Sequence, residues 1–130
     1  MPAEHYVDNN AKLIITSWVG VAVDIEFIDA IKKYQEEIQS NPNYSGYNEV
    51  VNFSKVTNIK LTRHGIKSIG QIASKTDKNN TKLALIVSSN LAYNLARMYQ
   101  GYRYFFKNST KEVRVFKHKN EAFDWAQNNT

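Results

Sequence analysis

Apolar residues recur along this chain in two rhythms, and the switches between them mark out its elements. Residues 4–8 read as an edge strand, closed by the turn-forming run Asp8-Asn9-Asn10. Residues 12–18 include the consecutive apolar residues Leu13, Ile14 and Ile15, which fits a strand covered on both faces. Val19-Gly20 is expected to turn the chain toward Val21-Ala22-Val23. The rhythm then changes. Phe27, Ile31, Tyr34 and Ile38 are spaced by four, three and four residues, so they share one face of a helix capped by Asp24.

A polar loop over residues 40–46 ends this helix, and residues 49–53 return to strand character. Thr62 is the expected cap of a second helix, whose apolar face is Ile66, Ile69, Ile72 and Ala73. Gly70 in its middle costs up to about 1 kcal/mol relative to alanine, which predicts close packing against a neighbour. After a polar loop at 76–80, residues 82–88 carry Leu83-Ala84-Leu85-Ile86-Val87, the strongest buried-strand signal in the chain. A third helix follows, capped by Ser89 or Asn90, with Leu91, Leu95, Met98 and Tyr102 in register. Residues 112–117 form a last strand, and a short helix over 121–127 turns Ala122, Trp125 and Ala126 inward before a tail expected to fray. The order predicts an α/β fold. Its single mixed, mostly parallel sheet has about five strands and about four helices, with right-handed crossovers and an antiparallel N-terminal strand at one edge.

Composition narrows the function classes more than it names one. With 130 residues, 42% of them hydrophobic, the chain has room for one core, so residues 1–130 are expected to form a single domain. The absence of cysteine excludes disulfides, thiolate metal sites and cysteine nucleophiles, and suits a reducing compartment. Met1-Pro2-Ala3-Glu4-His5 lacks the basic start and apolar stretch of a signal peptide. No apolar run approaches the roughly 18–20 residues of a membrane span, so the cytoplasm is the expected address. The excess of 17 basic over 12 acidic side chains, a net charge of +5, is spread along the whole chain and indicates solubility before any particular anionic partner.

Candidate chemistry is sparse. His5, His64 and His118 stand far apart without other ligand types at coordination spacing, so no metal is expected. There is no Gly-rich phosphate loop, nucleophile elbow or His-Glu-x-x-His pattern, so the expectation is a non-enzyme without cofactor. Gly101-Tyr102-Arg103-Tyr104-Phe105-Phe106-Lys107 interleaves aromatics with cations in a way that echoes base-stacking surfaces. Such a consensus belongs on a central strand, whereas this stretch sits at a helix end. Core packing of Phe105 or Phe106 is therefore expected first, a partner-binding patch second, and nucleic-acid binding last.

Residues 49–59, Glu49-Val50-Val51-Asn52-Phe53-Ser54-Lys55-Val56-Thr57-Asn58-Ile59, resemble the core strand of STAS domains, the family that includes the anti-sigma-factor antagonists. The stretch from Ala92 to Gln100 and the ending Val113-Arg114-Val115-Phe116-Lys117 with Glu121-Ala122-Phe123-Asp124-Trp125 are similar to a SpoIIAA-like subgroup of small bacterial proteins. The matches run from about Leu13 to Trp125. In antagonist-type members an Asp-Ser-Ser-Gly sequence follows the Val-Thr-x-Ile step and holds a phosphorylated serine. Lys60, Leu61, Thr62 and Arg63 occupy those positions here, so only Thr62 keeps a hydroxyl.

The resemblance implies a non-enzymatic regulatory module that binds a protein partner or a second copy of itself. Its working surface would be Ser54, Asn58, Lys60 and Arg63; Thr62 is expected first as a plain helix cap and second as a phosphoacceptor, two roles that can coexist. STAS domains also resemble lipid-transfer folds in architecture. That implies a second reading, a carrier of a small apolar or lipid-like ligand, with Tyr99, Tyr102, Phe105 and Phe106 lining a pocket between helix and sheet.

Overall fold

The computed structural model describes residues 3–75, 80–105 and 111–127. Five strands, β1 (Ala3–Asp8), β2 (Leu13–Val23), β3 (Asn48–Lys60), β4 (Lys82–Ile86) and β5 (Glu112–Phe116), lie in the spatial order of the chain. β1 pairs antiparallel with β2, and every later pairing is parallel. The helices are α1 (Asp24–Tyr34), α2 (Arg63–Ser74), α3 (Asn90–Phe105) and α4 (Lys119–Gln127). This is the mixed, mostly parallel α/β sheet that the alternation of patterns predicts.

Because each crossover steps in the same direction across the sheet, right-handed connections put α1, α2 and α3 on one face. There Trp18, Phe27, Ala30 and Ile69 form one buried cluster, and Leu83, Leu85, Val87, Ala92 and Ala96 another. α4 follows the last strand and covers the opposite face, where Ala122 and Ala126 pack on Leu13, Val50, Ala84 and Ile86. Asn48 fastens that layer: its amide donates to the Ala126 carbonyl at 2.7 Å and accepts from the Lys82 amide at 2.8 Å.

Several local readings are corrected by tertiary structure. Val19-Gly20 does not turn the chain; β2 runs on to Val23, with register shifts beside Val19 and at Gly20. Gly20 sits at φ +86°, a conformation glycine adopts without a Cβ penalty, so the irregularity bends the strand without ending it. β3 likewise continues past Phe53 to Lys60, and the two extended strands form a ribbon beyond the end of β4.

Asp24 does not cap its own helix. Val23 holds the N-cap position of α1 without a side-chain hydrogen bond, and Asp24 reaches across to α2 instead. In α3, Ala92, Ala96 and Arg103 face inward while Leu91 is 57% exposed, so the helix is rotated from the register its larger apolar residues suggest. Gly70 does mark a close approach: a Cβ there would lie 3.4 Å from Tyr102 Cβ, the contact at which α2 meets α3.

Candidate ligand cavity with a charged end

Between the sheet and its three-helix layer lies a cavity of about 140 Å³. Strands β3 and β4 supply its floor through Val51, Phe53, Leu83 and Leu85, whose alternation aims them all at the helical face. The roof comes from Ala30 of α1, Ile66 and Ile69 of α2, and Ala92 and Ala96 of α3. At Ala30, Ala92 and Ala96 the roof is a single methyl group packed against the sheet clusters, which leaves more room than a longer side chain would. One wall is aromatic: Trp18 stacks on Phe27 with ring centroids 3.9 Å apart, and Phe53 packs 5.6 Å from Phe27.

The other end is polar. α1 continues into a π-helical turn over Gln35–Gln39, which places the buried Gln39 side chain over the start of β3. Gln39 Nε2 donates to Glu49 Oε1 at 2.9 Å, and Lys111 Nζ lies 3.1 Å from Glu49 Oε2. Glu49 is 7% exposed and lines the cavity together with Tyr34, Gln39 and Arg103. Burial pushes its carboxyl pKa up, but the Lys111 ammonium, the Arg103 guanidinium and the Gln39 amide together hold it below the ordinary value. Glu49 is therefore ionised at neutral pH. Burial, that negative charge and the hydrogen bond it donates to Glu49 raise the Tyr34 phenol well above its usual value. Arg103 donates to the Tyr99 hydroxyl at 2.8 Å; His5, whose ring lies 5.0 Å from that of Tyr34, has its Nδ1 2.8 Å from Thr16 Oγ1. Burial lowers the His5 pKa against the pull of Glu37, so the ring is favoured neutral.

This arrangement combines an apolar lining with a few fixed hydrogen-bonding groups at one end, the usual composition of a small-molecule site. Of the residues singled out from sequence, Tyr99 lines the cavity, whereas Tyr102 packs against Gly70 on α2. Phe105 is 79% exposed, because the inward positions at that turn of α3 go to Tyr99 and Arg103; it does not join the core. Phe106 lies outside the described residues.

Ser54, Asn58 and Lys60 are exposed on the β3 extension, and Arg63 is exposed on the first turn of α2. Thr62 between them is the N-cap of α2. Its Oγ1 accepts from the Gly65 amide at 2.9 Å and donates to Asp24 Oδ2 at 2.6 Å, while its backbone amide donates to Asp24 Oδ1 at 3.0 Å. Neither Glu49 nor Lys111 stands out as functional from sequence. The one available signal was a carboxylate opening the otherwise apolar run Val50-Val51, where burial demands a counter-charge.

No family model matches the chain, and neither does any curated protein. A solved structure does. The crystal structure of an uncharacterised protein of the DUF3478 family with a SpoIIAA-like fold, from Shewanella loihica PV-4, superimposes with a TM-score of 0.58 at 14% identity, covering 95% of this chain and 93% of that one. At that identity the likeness speaks for architecture alone. The chain has a SpoIIAA-like fold.

Proposed function

We propose that this chain is a non-enzymatic binding module that takes a small apolar ligand into the cavity between its sheet and its α1–α3 layer. The cavity is the observation that carries this reading: native interiors are normally filled to crystal-like density, and a void of this size in an apolar setting is otherwise destabilising. Apolar cavities of about 150 Å³ stay dry and take up benzene-sized guests. Filling the space from within tests it. Ala96→Leu places three more carbons over Leu85, so it is expected to raise the unfolding midpoint or leave it unchanged, and to abolish toluene binding by isothermal titration calorimetry. An Ala96→Leu protein that still binds toluene as tightly as the wild type would place the guest elsewhere.

A second reading is favoured by the other face of the sheet. On the β2–β3 ribbon, Val19 and Val21 are 50% and 43% exposed and pair with Lys55 and Asn58, a mixture typical of contact surfaces. Ser54, Asn58, Lys60 and Arg63 would then act as a surface for a protein partner or a second copy. Were Thr62 to carry a phosphate, it would set a dianion against the Asp24 carboxylate and act by breaking that clasp. Self-association is readable by sedimentation velocity: Val21→Lys should shift a dimer to monomer, and a wild-type chain that is monomeric at all concentrations removes the self-association version.

A further inference from the structure

The charged end of the cavity selects among apolar ligands. Glu49 and the cations Lys111 and Arg103 meet there, so a ligand bearing a full charge of either sign brings a like charge close to its own in a desolvated setting. A neutral polar group avoids both repulsions.

An ionised carboxylate offers about four acceptor positions. On Glu49, Gln39 takes one on Oε1, Lys111 one on Oε2, and the Tyr34 phenol donates to a third. About one acceptor position is then left on a carboxylate that lines the cavity. The cavity volume of about 140 Å³ is that of a single ring with a small substituent, well below the roughly 300–1,000 Å³ of pockets for larger ligands. The stacked Trp18, Phe27 and Phe53 rings form a wall suited to a flat guest.

We propose that the cavity takes a neutral single-ring molecule carrying one hydroxyl, with the ring among Phe53, Leu85 and Ala96 and the hydroxyl donating to the Glu49 carboxylate. This rests on the cavity being a ligand site. It adds the class of ligand and names Glu49 as the residue that orients it.

Three probes of one shape separate the claims: toluene, 4-methylphenol and 4-methylbenzoate, titrated calorimetrically into the full chain at pH 7. A hydrogen bond to a buried charged acceptor predicts that 4-methylphenol binds about tenfold tighter than toluene, with 4-methylbenzoate the weakest. Equal affinities for toluene and 4-methylphenol would overturn the role of Glu49 while leaving the cavity as a ligand site. Tightest binding of 4-methylbenzoate would overturn the neutral-ligand assignment in favour of the cations. No saturable binding of any probe would overturn the site itself. Glu49→Gln combined with Lys111→Met keeps the cluster free of an orphaned charge, and in it the advantage of 4-methylphenol is expected to fall to about threefold or less. An undiminished advantage there would also overturn the assignment, and if the double variant does not fold, the wild-type series decides alone.

Discussion

Replacing Lys111 with methionine is expected to lower the stability of the folded chain by about 3 kcal/mol at pH 7, because it leaves the Glu49 carboxylate buried without its closest counter-ion. The pH dependence identifies the cause. In the wild type the folded pKa of Glu49 lies below its unfolded value of about 4.3, so its stabilising contribution is present above that value and is lost as pH falls through the folded pKa. Without Lys111, burial dominates and the folded pKa rises above the unfolded one. The carboxylate then destabilises at neutral pH, and that penalty disappears once both states are protonated. The gap between wild type and Lys111→Met should therefore be widest near pH 7 and shrink steadily toward pH 4, as urea denaturation at the two values would show. A gap of the same size at both would mean that the ion pair is not what the substitution removes.

Gly65→Ala gives the second large effect, in the opposite direction from helix propensity. Alanine is favoured over glycine within a helix by about 1 kcal/mol, so on sequence grounds the change at the third residue of α2 should stabilise. In the structure a Cβ on Gly65 would fall onto the Asp24 carboxyl group. Either Asp24 swings away, which breaks its two hydrogen bonds to Thr62, or the start of α2 shifts. Overpacking and the loss of this support together predict a destabilisation of about 2–4 kcal/mol. The double variant with Asp24→Ala removes the obstructing group, so Gly65→Ala should cost little or nothing in that background. Additive effects of the two changes would show that the clasp between α1 and α2 is absent in solution.

That clasp shows where sequence reasoning reaches and where it stops. Asp24 and Thr62 are both legible as capping residues, because each is a short oxygen-bearing side chain just before an apolar helical rhythm. That Asp24 supports the cap of α2, and leaves α1 without one, depends on a contact 38 residues apart in the chain, which no local pattern records. The strand cores were legible for the same reason in reverse: Leu13 and Leu83-Ala84-Leu85-Ile86-Val87 are buried by any parallel sheet.

The far ends of β2 and β3 were not, since Gly20 and the polar Lys55, Thr57 and Asn58 mimic turn composition while the ribbon exposes them. In α3 the periodicity of Leu91, Leu95, Met98 and Tyr102 pointed to one face, and packing chose the neighbouring one of Ala92, Ala96, Tyr99 and Arg103. Small residues carry little weight in a hydrophobic pattern, yet Ala92 and Ala96 line the cavity. The site itself was half visible: Tyr99 was in view, but the pairing of Glu49 with Lys111 joins separate strand regions and emerges only when the sheet assembles.

Ligand binding in the space under α1–α3 is tested most directly by a crystal structure of the chain under xenon pressure. Xenon enters dry apolar cavities and marks its position by electron density. A single strong peak is expected between Phe53, Leu85 and Ala96, and none in Ala96→Leu. A cavity that stays empty under xenon, or is closed by side chains in the crystal, would contradict it.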